Sequence, residues 1–119
     1  MPATSSELAA ILAAFKDSVN GDPSVKKLVK GWSTKILLWA KDLQSGFLLT
    51  VTNGTLVSVD PTEDSNAGLV RVVTASDVMA RMFSGKEKIV SAYLDGVIET
   101  YGPIRDQMRL DGVAEALWG

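Results

Sequence analysis

Residues 74–102 read TASDVMARMFSGKEKIVSAYLDGVIETYG, and their punctuation sets the layout of the C-terminal half. Thr74 is expected to cap a helix, with Asp77 three residues on as its reciprocal partner. Val78, Met79, Met82 and Phe83 give that helix an apolar side, and Gly85 sits where a C-terminal cap belongs. A second short helix carries Ile89, Val90, Tyr93 and Leu94 and runs into the Asp95-Gly96 turn. Val97–Tyr101 reads as a strand, and Gly102-Pro103 opens a last apolar helix. The segment is greasy and holds no obvious catalyst. It points to a protein that holds something apolar rather than one that transforms it.

Upstream, residues 4–19 form a first helix. Thr4 and Glu7 make a capping box, and Leu8, Ile11, Leu12, Phe15 and Val19 recur at helical spacing. Asn20-Gly21-Asp22-Pro23 ends it, and residues 24–30 suit a short basic helix with Val25, Leu28 and Val29 inward. Four strands follow: Trp32–Ala40, Phe47–Thr52, Thr55–Val59 and Leu69–Val73. Asn53-Gly54 marks a hairpin between the second and third, and Asp60-Pro61 ends the third. Short connections imply antiparallel pairing, and alternation in strands three and four implies a sheet wet on one face. Trp32 and Trp39 differ in parity along the first strand, so one belongs in the core and the other is half-exposed or covered by a second subunit. The fold class is α+β, a single domain over residues 1–119.

Composition excludes several chemistries. The 119 residues contain no Cys and no His, which removes disulfides, thiolate nucleophiles and a Ser-His-Asp triad. Zinc would have to rely on carboxylates alone. The net charge of −2 offers no basic stripe for nucleic acid. Charge is uneven, however: residues 1–41 carry net +3 and residues 42–119 net −5. Lys26, Lys27 and Lys30 cluster near the front, as a solvated surface or as a contact for anionic lipid headgroups. No secretory leader or run of ~20 apolar residues is present, so a cytoplasmic location is expected. Asp95 and Glu99 are closely spaced acids, but a turn and a strand's solvent face account for them better than acid–base catalysis.

The order of elements, with Ser76-Asp77 before an apolar helix, Phe83-Ser84-Gly85-Lys86, Ala92-Tyr93-Leu94-Asp95-Gly96-Val97-Ile98 and Tyr101-Gly102, resembles the sterol carrier protein type-2-like family of nonspecific lipid-transfer domains. The resemblance runs from about Leu8 to Trp118. It implies a five-stranded, mostly antiparallel sheet covered by helices, with an apolar tunnel for fatty acids, fatty acyl-CoA, sterol-like or isoprenoid lipids. It implies no catalytic residue, metal or cofactor. The slightly acidic chain departs from the basic surface of many members, which weakens the case for membrane docking.

On that reading the tunnel lining is Phe15, Met79, Met82, Phe83, Val90, Tyr93, Ile104, Met108 and Leu117, with Tyr93 or Tyr101 offering a hydroxyl to a polar head. Methionines beside Phe83 suit a pocket of adaptable shape, and equally suit ordinary core packing. In the last helix, Ile104 and Met108 share one side while Leu110, Val113 and Leu117 fall roughly opposite. Either one helix is greasy on two sides, or it breaks at Asp111-Gly112. Trp118 is a latch over the pocket or a packed terminus. The alternative function is an accessory or protein-interaction domain with a collapsed pocket, acting as a homodimer.

Overall fold

Thr4 starts the first helix as its side chain dictates: its hydroxyl accepts from the Glu7 N–H, and the Glu7 carboxylate accepts from the Thr4 N–H. The computed structural model describes residues 3–118; Met1, Pro2 and Gly119 lie outside the described residues. Helix α1 (Ser5–Gly21) buries Leu8, Leu12, Phe15 and Val19. It runs two residues past Val19 and stops within the expected Asn20-Gly21-Asp22-Pro23, with Asp22 as its C-cap. The Asp22 carboxylate accepts from Ser24 and Val25 N–H and caps α2 (Pro23–Leu28), with Pro23 at the helix start, where its missing N–H costs nothing. Val25 and Val29 are buried as expected; Leu28 is exposed beside them.

The sheet holds β1 (Thr34–Ala40), β2 (Ser45–Thr52), β3 (Thr55–Thr62), β4 (Val70–Thr74) and β5 (Glu99–Tyr101), in the spatial order β3-β2-β1-β4-β5. Asn53 and Gly54 both take positive φ, 49° and 80°, and turn β2 into β3. Three of the four pairings are antiparallel, but β4 lies parallel to β1. The seven residues 63–69 carry the chain back past β2 and β1 instead of reversing it at the edge. Strand β3 also runs beyond the expected stop at Asp60-Pro61. It is an edge strand, where a residue lacking an N–H is tolerated.

A bulge shifts the β2–β3 register beside Val51. The extra residue lets Leu56 and Val59, three apart, both meet the core. The Asn20 amide donates to the Leu56 carbonyl at 2.9 Å and accepts from the Leu56 N–H at 3.0 Å, joining the end of α1 to β3.

On the helix-covered face, Ile36, Leu38, Phe47, Leu49, Val70 and Val72 form the core with α1. Leu37 and Trp39 point to the opposite face and are buried as well. The expectation of one wet face therefore fails at β1, a central strand with a parallel partner. The two tryptophans are also corrected. Trp32 precedes β1, so strand parity does not apply to it, and both rings are buried. The Trp32 indole N–H donates to Asp106 at 2.7 Å, and the Arg109 guanidinium lies 5.6 Å from the ring centre.

Helix α3 (Ser76–Phe83) is not capped by Thr74. Thr74 ends β4, and its hydroxyl donates to the Val97 carbonyl at 2.8 Å. The cap comes from the turn after β1: the Asp42 carboxylate accepts from the Ser76 N–H at 2.8 Å and from its hydroxyl at 2.6 Å. Gly85, with φ +81°, follows the C-cap Ser84 and reverses the chain. Helix α4 (Ile89–Leu94) buries Ile89 and Ala92. Strand β5 is shorter than expected, and α5 (Ile104–Trp118) is one helix through Gly112.

Candidate functional site

Helices α4 and α5 do not close completely over β4 and β5. Between them lies an open cavity of about 250 Å³. Its floor is the inward face of the sheet, Val70, Val72 and Thr100, with Leu110 from the buried side of α5. Its walls are Ile89, Val90 and Tyr93 from α4, and Ile104, Gln107, Met108 and Asp111 from α5. A second cavity of about 190 Å³ continues past Ile89, Val90 and Asp111, which border both, toward Lys86, Glu115 and Trp118.

The mouth is unusually apolar. Val90 is 46% exposed, Tyr93 58%, Ile104 69% and Met108 68%. These side chains expose their greasy surface beside the opening while Leu110 and Val113 of the same α5 are buried in the core. Helix α5 is thus greasy on two sides, one against the sheet and one left open.

Four of the nine expected lining residues therefore meet at the first cavity: Val90, Tyr93, Ile104 and Met108. Phe15, Met79, Met82 and Phe83 lie together in the buried core, where the Phe15 and Phe83 rings meet edge to face at 5.1 Å and Phe15 also borders a void of about 20 Å³. Leu117 packs partly buried against that core. The Trp118 ring lies tilted by 32° against Phe15, centres 5.8 Å apart, and borders the second cavity. A Cβ on Gly85 would come within 2.7 Å of the Trp118 ring. The bare glycine backbone is therefore the seat of the indole. Tyr101 lies on the outer face of β5, gives its hydroxyl to Glu99 at 2.8 Å and sits 5.0 Å under the Arg71 guanidinium.

Sequence reasoning missed the floor, Val70, Val72, Thr100 and Leu110, and the wall residues Ile89, Gln107 and Asp111. Asp111 was within reach: Ile104, Met108 and Asp111 are spaced by four and three residues, so the exposed stripe of α5 continues onto it. The polar lining is sparse. Gln107 spends its amide on the Gly102 carbonyl at 2.7 Å. Burial pushes the Asp111 carboxyl above its ordinary value, and the Glu115 charge one turn on adds to the shift. Among the described residues no group of acids could hold a metal ion, and no helix is long and apolar enough to cross a membrane.

No protein-family model and no curated protein matches the sequence. Solved structures do. Sterol carrier protein 2 superposes with a TM-score of 0.69 at 12% identity, over 91% of this chain and 93% of that one. Palmitated SCP2L2 from Aedes aegypti superposes at 0.60 with 14% identity, over 94% and 95%. The stereoselective inverting sec-alkylsulfatase Pisa1 from Pseudomonas sp. superposes at 0.63 with 17% identity, over 86% of this chain and 15% of the sulfatase. The fold is that of sterol carrier protein 2.

Proposed function

We propose that this chain binds long apolar molecules without chemically altering them, and passes them on. The observation that carries this reading is the cavity between α4, α5 and the β4–β5 edge, with an apolar floor and an exposed apolar mouth. Its 250 Å³ falls just below the roughly 300–1,000 Å³ of ordinary ligand sites. A fatty acid, fatty acyl-CoA, sterol-like or isoprenoid ligand therefore needs the groove to widen. Helix α4 is the element suited to move: six residues long, it buries only Ile89 and Ala92. Burying an alkyl chain gains about 0.8 kcal/mol per methylene, so about a dozen methylenes supply about 10 kcal/mol against association costs. The palmitated state of a protein with the same fold supports a long alkyl chain as the part of the ligand held here.

Val90, Tyr93, Ile104 and Met108 are the contacts we assign to the chain in the closed form, with Trp118 at the far end. Phe15, Met79, Met82, Phe83 and Leu117 back the site and meet a ligand only if it widens inward. Native mass spectrometry of freshly purified protein, followed by solvent extraction of the same sample, tests the reading. A bound mass that extracts as lipid supports it. Apo protein that also fails to take up Nile red, an uncharged apolar dye, overturns it.

A second reading, a docking module acting as a dimer, draws on Leu94 and Ile104, large apolar side chains that are 77% and 69% exposed. It predicts a mass that rises with concentration in the absence of lipid. Exposed Lys26 and Lys27 next to exposed Leu28 favour transient contact with an anionic membrane surface during transfer, measurable as co-sedimentation with vesicles.

A further inference from the structure

Asp111 is the one ionisable group bordering both cavities. The walls it interrupts are mostly apolar: Ile89 and Val90 across the groove, Met108 and Leu110 beside it, with the Gln107 amide already committed to the Gly102 carbonyl. Its carboxylate forms no hydrogen bond or ion pair with any other described residue. An ionised carboxylate only accepts hydrogen bonds, so its unfilled capacity faces whatever lies at the junction. An unpaired, partly desolvated charge there costs stability, which a donor brought by a ligand recovers.

The other charged groups facing the junction do not cancel it. Glu115 lies one turn on along α5 and adds a second negative charge. Across the second cavity stand Lys86, Glu87 and Lys88. Lys86 and Lys88 are exposed, and Glu87 lies 3.7 Å from Arg81. The groups bordering the second cavity thus comprise two ammonium groups and three carboxylates. The carboxylate against the apolar wall is Asp111.

We infer that Asp111 sets the head-group chemistry of the groove. It favours long alkyl ligands whose polar end donates a hydrogen bond, an alcohol or a protonated amine, and it disfavours fatty-acid carboxylates. The inference rests on the groove being the ligand site, and it narrows the proposed ligand class. A ligand threading from the first cavity to the second carries its polar end past Asp111. A hydroxyl or ammonium fills the vacant acceptor, whereas a carboxylate meets a like charge at a site water only partly screens.

The test is competition against Nile red at neutral pH with three probes of one chain length, 1-dodecanol, dodecylamine and laurate. Wild-type protein, Asp111→Asn and Glu115→Gln are compared. In wild type, the alcohol and the amine are expected to compete at least about tenfold better than laurate, a difference of about 1.4 kcal/mol. Asp111→Asn removes the charge at nearly constant shape, on a partly exposed helical position, and is expected to raise laurate affinity about tenfold and to lower that of the amine. Glu115→Gln should move both in the same directions by less. Laurate equal to the alcohol in wild type, or unmoved by Asp111→Asn, overturns the role of Asp111 while leaving the groove intact. Failure of all three probes, and of Nile red itself, refutes the groove and the inference with it.

Discussion

Replacing the two most exposed groove residues together, Ile104→Ser and Met108→Ser, separates binding from folding. Fully burying an Ile or Met side chain is worth about 1.5–3 kcal/mol. At 69% and 68% exposure, each leaves about 1–2 kcal/mol uncollected in the free protein. A ligand in a groove open on its solvent side covers roughly half of that surface, so the pair contributes about 1–2 kcal/mol to binding. Nile red titration should accordingly show the dissociation constant rising about 5- to 30-fold. Folding should hardly notice: exposed substitutions stay within about 0.5 kcal/mol each, or about 2 °C in Tm for a domain of this size. Val57→Ser, about half exposed on the bulge of β3 and outside both cavities, is the control and should leave the affinity unchanged. A double variant that keeps its Tm and binds within twofold of wild type would refute the assignment of the groove. An equal loss in the Val57 control would show that the dye reports general surface hydrophobicity.

Met82→Ala should cost about 2–5 kcal/mol in a urea melt, because the side chain is sealed among core residues and leaves a cavity behind. Gly85→Ala strains a φ of +81° and pushes a methyl into the Trp118 ring, so it should cost at least about 1 kcal/mol and shift the tryptophan emission. Asp42→Ala removes the remote cap of α3 and leaves the buried Ser76 hydroxyl without its acceptor, a loss of about 2–4 kcal/mol at neutral pH. Desolvation works to raise the Asp42 carboxyl, but the hydrogen bonds from the Ser76 side chain and backbone and from neighbouring amides outweigh it, leaving it below its ordinary 3.8. The stabilisation is therefore complete above the unfolded-state value and is lost as pH falls through the lower folded one. Melts of wild type and Asp42→Ala should converge as the pH drops below 3.8.

Features encoded by neighbouring residues were legible in the sequence. The Thr4–Glu7 box and the Asn53-Gly54 turn each carry their cause within four residues, and both appear as expected. Thr74 misled because a local cap pattern competed with Asp42, which is far away in sequence and became the partner only through the β1–β4 pairing. Pro61 misled because strand position at an edge is a property of the finished sheet. The same limit governs the groove. Helical spacing placed Met79 and Met82 on one side and Ile104 and Met108 on another, but only packing decides which side meets α1 and which meets nothing.

Asn20 and Pro61 have a consequence for solubility. An open strand rim invites pairing with another chain, the first step toward aggregates. On β3 the Asn20 amide occupies both main-chain groups of Leu56, and Pro61 presents no donor further along. The opposite rim, β5, offers three residues before Gly102-Pro103 turns away. Both margins of the sheet are poor templates for a foreign strand. A protein that keeps a greasy mouth exposed to water thereby closes the other common route to uncontrolled association.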